Sequence, residues 1–108
     1  MKLLKLFSKD ITDWAVCDTL GMQGIRPIAK LKQKEIFDLS AKFVKSPNFW
    51  ERRLSLVLLL NYRKDIQSHK FIISIMKQLE NDKEYYVKKV VEWTKRDLAK
   101  NKIKKNIF

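Results

Sequence analysis

Two glycines and two prolines in 108 residues leave this chain few places to turn. A β-rich fold needs turn residues at short intervals, so their scarcity favours long helices with short connections. Hydrophobic residues make up 45% of the chain, enough for a core, and charged residues 33%, enough for a strongly charged surface. Together they exclude a wholly disordered chain. One all-α domain over residues 1–108 is expected.

Apolar periodicity orders the helices. Leu3, Leu4, Leu6 and Phe7 make a short apolar segment. Ser8 or Thr12 can cap a helix at about residues 12–20, which carries Trp14, Ala15, Val16 and Leu20 and stops at Gly21. Residues 21–28, with Gly21, Gly24 and Pro27, read as a connecting loop. The apolar positions from Ile28 to Val44 predict a second helix. Asn48 caps a third, which is apolar nearly all round through Leu54 and Leu56 to Leu60, so it belongs in the interior. Lys64-Asp65 ends it. Helices follow at 71–79 and from Tyr85 to Ala99, and residues 102–108 form a basic tail expected to fray.

A weak repeat runs through this order. Trp50–Leu58 can be laid on Tyr85–Trp93 at an offset of 35 residues, each segment with an aromatic start, a basic pair and an apolar continuation. Helix pairs recurring at about this interval are the mark of HEAT- and TPR-type stacks.

The net charge of +12 implies attraction to phosphates or anionic head groups. A lysine-rich surface without a polyanionic partner is the plainer alternative. The single cysteine, Cys17, excludes an internal disulfide and a Cys-based zinc site. It reads as a buried filler, as does Trp50. The single histidine, His69, leaves no His cluster for a metal and reads as a surface or loop residue. No apolar run reaches the roughly 20 residues that span a bilayer. The first residues lack a signal-peptide pattern, so a cytoplasmic location is expected, with no membrane partner.

Four residues could share one chemistry. Trp14 and Asp18 stand one helical turn apart on one face. A carboxylate there can stabilise an oxocarbenium-like sugar and position a water; alternatively Asp18 pairs with a lysine or hydrates a helix end. The indoles of Trp14 and Trp93 can attract a cationic base, or fill the core. Arg53 can donate a bidentate pair to a phosphate, with Lys88, Lys89 and Arg96 extending the track; otherwise they form a solvated cationic face.

Three segments, in order, carry a family resemblance: Asp13-Trp14-Ala15-Val16-Cys17-Asp18, Asn48-Phe49-Trp50-Glu51-Arg52-Arg53, and Val87-Lys88-Lys89-Val90-Val91-Glu92-Trp93-Thr94-Lys95-Arg96-Asp97. From residue 5 to residue 101 the chain resembles the bacterial DNA alkylation repair proteins of the AlkD type, which are HEAT-like-repeat DNA glycosylases. The resemblance implies an α-solenoid that releases cationic N3- or N7-alkylpurines from duplex DNA without metal or organic cofactor. It implies Asp18 as the catalytic carboxylate, Trp14 and Trp93 at the lesion and its sugar, and Arg53 at the DNA backbone. It also implies association with the nucleoid through DNA. Such proteins are about twice this length, so the resemblance implies a truncated solenoid without the N-terminal half, which a second chain or self-association would complete. Lys88 and Lys95 depart from the smaller, more apolar residues usual there. A non-catalytic DNA-binding module and a helical scaffold for an acidic protein are the alternatives.

Overall fold

The computed structural model describes residues 17–23 and 25–107, with side chains over that range except those of Leu20, Gln23 and 102–107. The caps, Trp14 and other positions expected before Cys17 lie outside the described residues. All regular structure among the described residues is helical, as the scarcity of turn formers predicts. Cys17 and Asp18 are helical, a π-turn covers Thr19–Gln23, and a 3-10 turn covers Arg26–Ile28. Four α-helices follow: α1, Gln33–Phe43; α2, Phe49–Leu59; α3, Ile66–Gln78; and α4, Tyr85–Ile107.

Helix α2 is the spindle of the structure. The Asn48 side chain caps it by accepting the Trp50 N–H at 2.9 Å. The Ser46 hydroxyl accepts the Asn48 N–H at 3.0 Å and donates to Glu51 at 2.6 Å, which fixes the entry of the chain. Leu54 and Leu56 through Leu60 are fully buried, so the helix is covered on every side. Helices α1, α3 and α4 all pack on it, and α3 also packs on α4. Fully burying side chains of this size stabilises by about 1.5–3 kcal/mol each. The buried Ser40 hydroxyl donates to the Ser55 carbonyl at 2.8 Å and joins α1 to α2 through a satisfied polar contact.

The order α1–α2, then α3–α4, is consistent with two helix pairs of a HEAT-like stack, the second helices of the pairs lying against one another. An aromatic cluster ties the first helices together: Phe37 of α1 stacks on Phe71 of α3 at 4.5 Å and meets Tyr62 edge-on at 5.0 Å. The Tyr62 hydroxyl donates to the Ala29 carbonyl at 2.5 Å. Burial pushes this phenol up to about 12.

Several expected boundaries move, each for a physical reason. The first helix does not stop at Gly21 but widens into the π-turn. Gly21 has no positive φ and is no left-handed cap; it is present for close approach. A Cβ there would lie 2.6 Å from Val57 Cγ1 and 2.9 Å from Leu54 Cδ1. Residues 26–28 form a helical turn rather than open loop, and α1 starts only at Gln33, with Leu31 left 83% exposed. Asp65 does not merely end a helix. Its carboxylate accepts the Gln67 N–H at 3.2 Å and the Ser68 hydroxyl at 2.8 Å, so α3 begins at Ile66, before Phe71. His69 is therefore buried in α3, not on the surface, with Nε2 donating to the Arg63 carbonyl at 2.7 Å. The basic tail continues α4 to Ile107 instead of fraying; lysine is a good helix former.

The contact at Gly21 yields a stability prediction. Gly21→Ala forces a methyl group against the stiff Val57 side chain, and overpacking of this kind costs about 1–3 kcal/mol. Urea unfolding of the variant should show a lower midpoint with an unchanged slope.

Candidate functional site

The π-turn follows Cys17 and Asp18 and sets them against the N-terminal half of α2. Its placement rests on Gly21, against Leu54 and Val57, and on Asn61, whose side-chain amide donates to the Gly21 carbonyl at 2.8 Å. One turn of α2 before Val57 stands Arg53. Its Nε donates to Asp18 Oδ1 at 2.9 Å and its Nη2 to Asp18 Oδ2, also at 2.9 Å. This is a two-pronged guanidinium–carboxylate pair, the geometry in which such bonds are strongest. Nη1 donates to the Tyr86 main-chain carbonyl at 2.7 Å, at the start of α4. Cys17 is fully buried beside this pair, as expected of a filler, and its thiol donates to the Trp50 carbonyl at 3.5 Å.

Exposure separates the two partners. The Arg53 side chain is 7% exposed and that of Asp18 20%. Arg53 therefore does not occupy the open, phosphate-gripping position that its charge suggested. Burying a guanidinium in solitude is costly, and here Asp18 and the Tyr86 carbonyl supply the compensation. A carboxylate has about four acceptor directions. Arg53 takes one on each oxygen, and the partly open side leaves Asp18 able to accept from water or to face a positive centre.

The remaining candidates lie along α4. Trp93 is half-buried and packs against the core. It stands seven residues beyond Tyr86, on nearly the same face and about 10 Å along the helix. Lys88, Lys89 and Arg96 are exposed. Lys89 and Arg96 share the Trp93 face, at four and three residues from it. Lys89 Nζ lies 3.9 Å from Glu92 and 5.4 Å from the Tyr85 ring centre. Asp18 and Arg53 thus meet directly, while Trp93 and the cations are arrayed on the helix that receives the third arm of Arg53. Trp14 lies outside the described residues.

A second pair mirrors the first. Arg52 donates to both Asp82 oxygens, through Nε at 2.7 Å and Nη2 at 3.4 Å, and through Nη1 to the carbonyls of Ser46 and Pro47. Burial pushes the Asp82 carboxyl up, but hydrogen bonds from Arg52 and the Glu84 N–H, with the charges of Arg52 and Lys88, outweigh it and hold the group below its ordinary 3.8. Sequence reasoning missed this pair and both carbonyl acceptors. The partners lie 30 residues apart, and main-chain acceptors leave no residue-type signal. The adjacent Arg52-Arg53 was the available clue: neighbours on a helix point about 100° apart, so both must find different partners.

Among the described residues no group of His, Cys, Asp and Glu is arranged to hold a metal ion, and no helix is long and apolar enough to cross a membrane. Among the described residues the regular structure is thus all helical, with a partly open carboxylate seated on a buried arginine and exposed cations on α4. A family model described as DNA alkylation repair enzyme matches residues 1–107. The chain belongs to that family, which gives it a role in DNA alkylation repair with DNA as the substrate. A search of curated proteins and a search of solved structures each found no match.

The paired arginines give two expected outcomes. Arg53→Lys keeps the charge but cannot grip both Asp18 oxygens and the Tyr86 carbonyl together. Loss of buried charge-assisted bonds should lower the unfolding free energy by about 1.5–3 kcal/mol, read by urea titration. For Asp82 the lowered pKa fixes the sign. Its contribution is fully present above the unfolded carboxylate value and is lost as pH falls through the lower folded value. The stability gap between wild type and Asp82→Asn should be constant near neutrality and shrink below about pH 4.

Proposed function

We propose that this protein is a DNA glycosylase that removes cationic N3- or N7-alkylpurines from duplex DNA. The observation that carries the reading is the Asp18–Arg53 pair, a carboxylate held by two bonds of 2.9 Å with one side of it open. In the proposed reaction the C1′–N bond breaks and its electron pair passes to the base, which leaves neutral because it arrived positive. The sugar becomes oxocarbenium-like. Asp18 faces that charge and accepts a hydrogen bond from the water that attacks C1′. The water's proton passes to the carboxylate or to solvent.

Arg53 serves as a positioning residue. It fixes both carboxylate oxygens and carries the balancing charge, instead of holding a phosphate itself. Trp93, with Trp14, offers an aromatic face to the cationic lesion, an attraction of about 0.5–2 kcal/mol each. Lys88, Lys89 and Arg96 grip the backbone. Family membership supports the repair role, and the net charge of +12 supports the partner. Completion of the DNA-binding groove by another chain is part of the same proposal.

The test is release of 7-methylguanine from methylated duplex DNA under single-turnover conditions, wild type against Asp18→Asn. The amide keeps the size but loses the charge, so release should slow by about 10²–10³-fold. Circular dichroism and a thermal melt establish that the variant is folded. Salt-sensitive DNA binding by wild type without base release would instead identify a non-catalytic module.

A further inference from the structure

Four aromatic rings run in unbroken contact beside the Asp18–Arg53 pair. Phe49 lies against Trp50 with ring centres 4.6 Å apart, Trp50 against Tyr86 at 5.0 Å, and Tyr86 against Tyr85 at 5.2 Å. The first two contacts are tilted stacks of 40° and 33°, and the last is edge-on at 83°. The row links the N-terminal turns of α2 and α4. Both inner members touch the site: the Trp50 carbonyl accepts from Cys17 and the Tyr86 carbonyl from Arg53.

This row is not sealed in the core. Phe49, Trp50 and Tyr86 are half-buried, and Tyr85 is 61% exposed. Exposed charges line its open end, the cations Lys88 and Lys89 beside Glu84 and Glu92. Lys89 Nζ stands 5.4 Å from the Tyr85 ring centre, and Lys88 is exposed next to it. Beyond Lys89, Trp93 and Arg96 continue along the same face of α4, placing a second cation about 10 Å from the first. A ligand suited to this surface has flat apolar faces and a regularly charged anionic backbone. A nucleic-acid strand has both, but in a matched duplex the base faces are already stacked on one another. Only an unpaired base offers a free face.

We infer that Phe49, Trp50, Tyr86 and Tyr85 form a stacking platform for an unpaired nucleobase, with Lys89 and Arg96 on the phosphates of the same strand, so that the protein prefers DNA containing an unpaired nucleotide to a fully paired duplex. The inference rests on the DNA reading above and adds a substrate form to it. Stacking of one base on an aromatic side chain is tolerant of base identity, because every base has a π-face. The preference is therefore for unpaired structure, not for sequence.

Three labelled DNAs of one sequence test it by fluorescence anisotropy at one salt concentration: the matched duplex, the duplex with a central two-nucleotide bubble, and that bubble with all four of its unpaired nucleotides abasic. The abasic bubble is as flexible but has no base to stack. Wild type should bind the base-bearing bubble about tenfold tighter than either of the others. Tyr85→Ala should lose most of that preference, its affinity falling more for the base-bearing bubble than for the duplex, and Tyr85→Phe should keep it. Equal affinity for the two bubbles, or an equal loss on all three DNAs in Tyr85→Ala, overturns the platform. Salt-sensitive duplex binding with no bubble preference overturns the platform while leaving the repair reading intact. Absence of binding to all three overturns both.

Discussion

A buried guanidinium is the constraint around which the rest of this structure is arranged. Arg53 sits on the most enclosed helix, where an unpaired charge costs several kcal/mol. The fold meets that cost from two directions. The segment ending in Asp18 supplies a carboxylate, and the first turn of α4 supplies the Tyr86 carbonyl. Both must arrive at the same side of α2, so one side chain fixes the mutual position of three parts of the chain. Arg52 does the same one residue earlier, reaching Asp82 and the Ser46 and Pro47 carbonyls. Below them, Leu54 to Leu60 supply the apolar burial that makes α2 a stable axis. Polar specificity thus sits at one end of the helix and bulk stabilisation at the other.

The π-turn matters through the same logic. A π-turn inserts one residue into the helical register, and such insertions recur at functional sites. Here it falls at Thr19–Gln23, directly after Asp18, where Gly21 lets the backbone come down on Leu54 and Val57. One extra residue rotates the turn before it by about 100° relative to the turn after it. The same local irregularity therefore governs both core packing at Gly21 and the direction in which Asp18 approaches Arg53.

Much of this was legible before any coordinates. The all-α class followed from missing turn formers. The interior position of α2 followed from its unbroken apolar run, and its start from Asn48. The sequence lets Asp18 and Arg53 share one chemistry, but with the acid at the sugar and the arginine on a phosphate. That Arg53 would be buried against Asp18 was not legible, because charge type says nothing about burial when the partner lies 35 residues away. Asp65 shows a different limit. An Asp after a basic residue reads equally as the end of one helix or the cap of the next, and only the Gln67 N–H and Ser68 hydroxyl decide it. The aromatic row is not legible in the sequence, because Phe49-Trp50 and Tyr85-Tyr86 look like two separate helix starts until α2 and α4 are side by side.

The electrostatics of the pair also bear on which lesions the proposed glycosylase can process. A carboxylate whose charge is balanced by an adjacent guanidinium exerts a weaker field at a distance than a lone one. It still acts at short range, since the compensating charge lies behind it, on the buried side. Such a group stabilises a cationic sugar that comes into contact with it. Beyond their own two bonds, the pair's described hydrogen bond is the one Arg53 donates to the Tyr86 carbonyl. A neutral lesion would need an acid to protonate its leaving base, whereas an alkylpurine that is already positive departs without one. In the proposed glycosylase, a carboxylate that meets the sugar, beside an indole that meets the base, suits a lesion that is already positive.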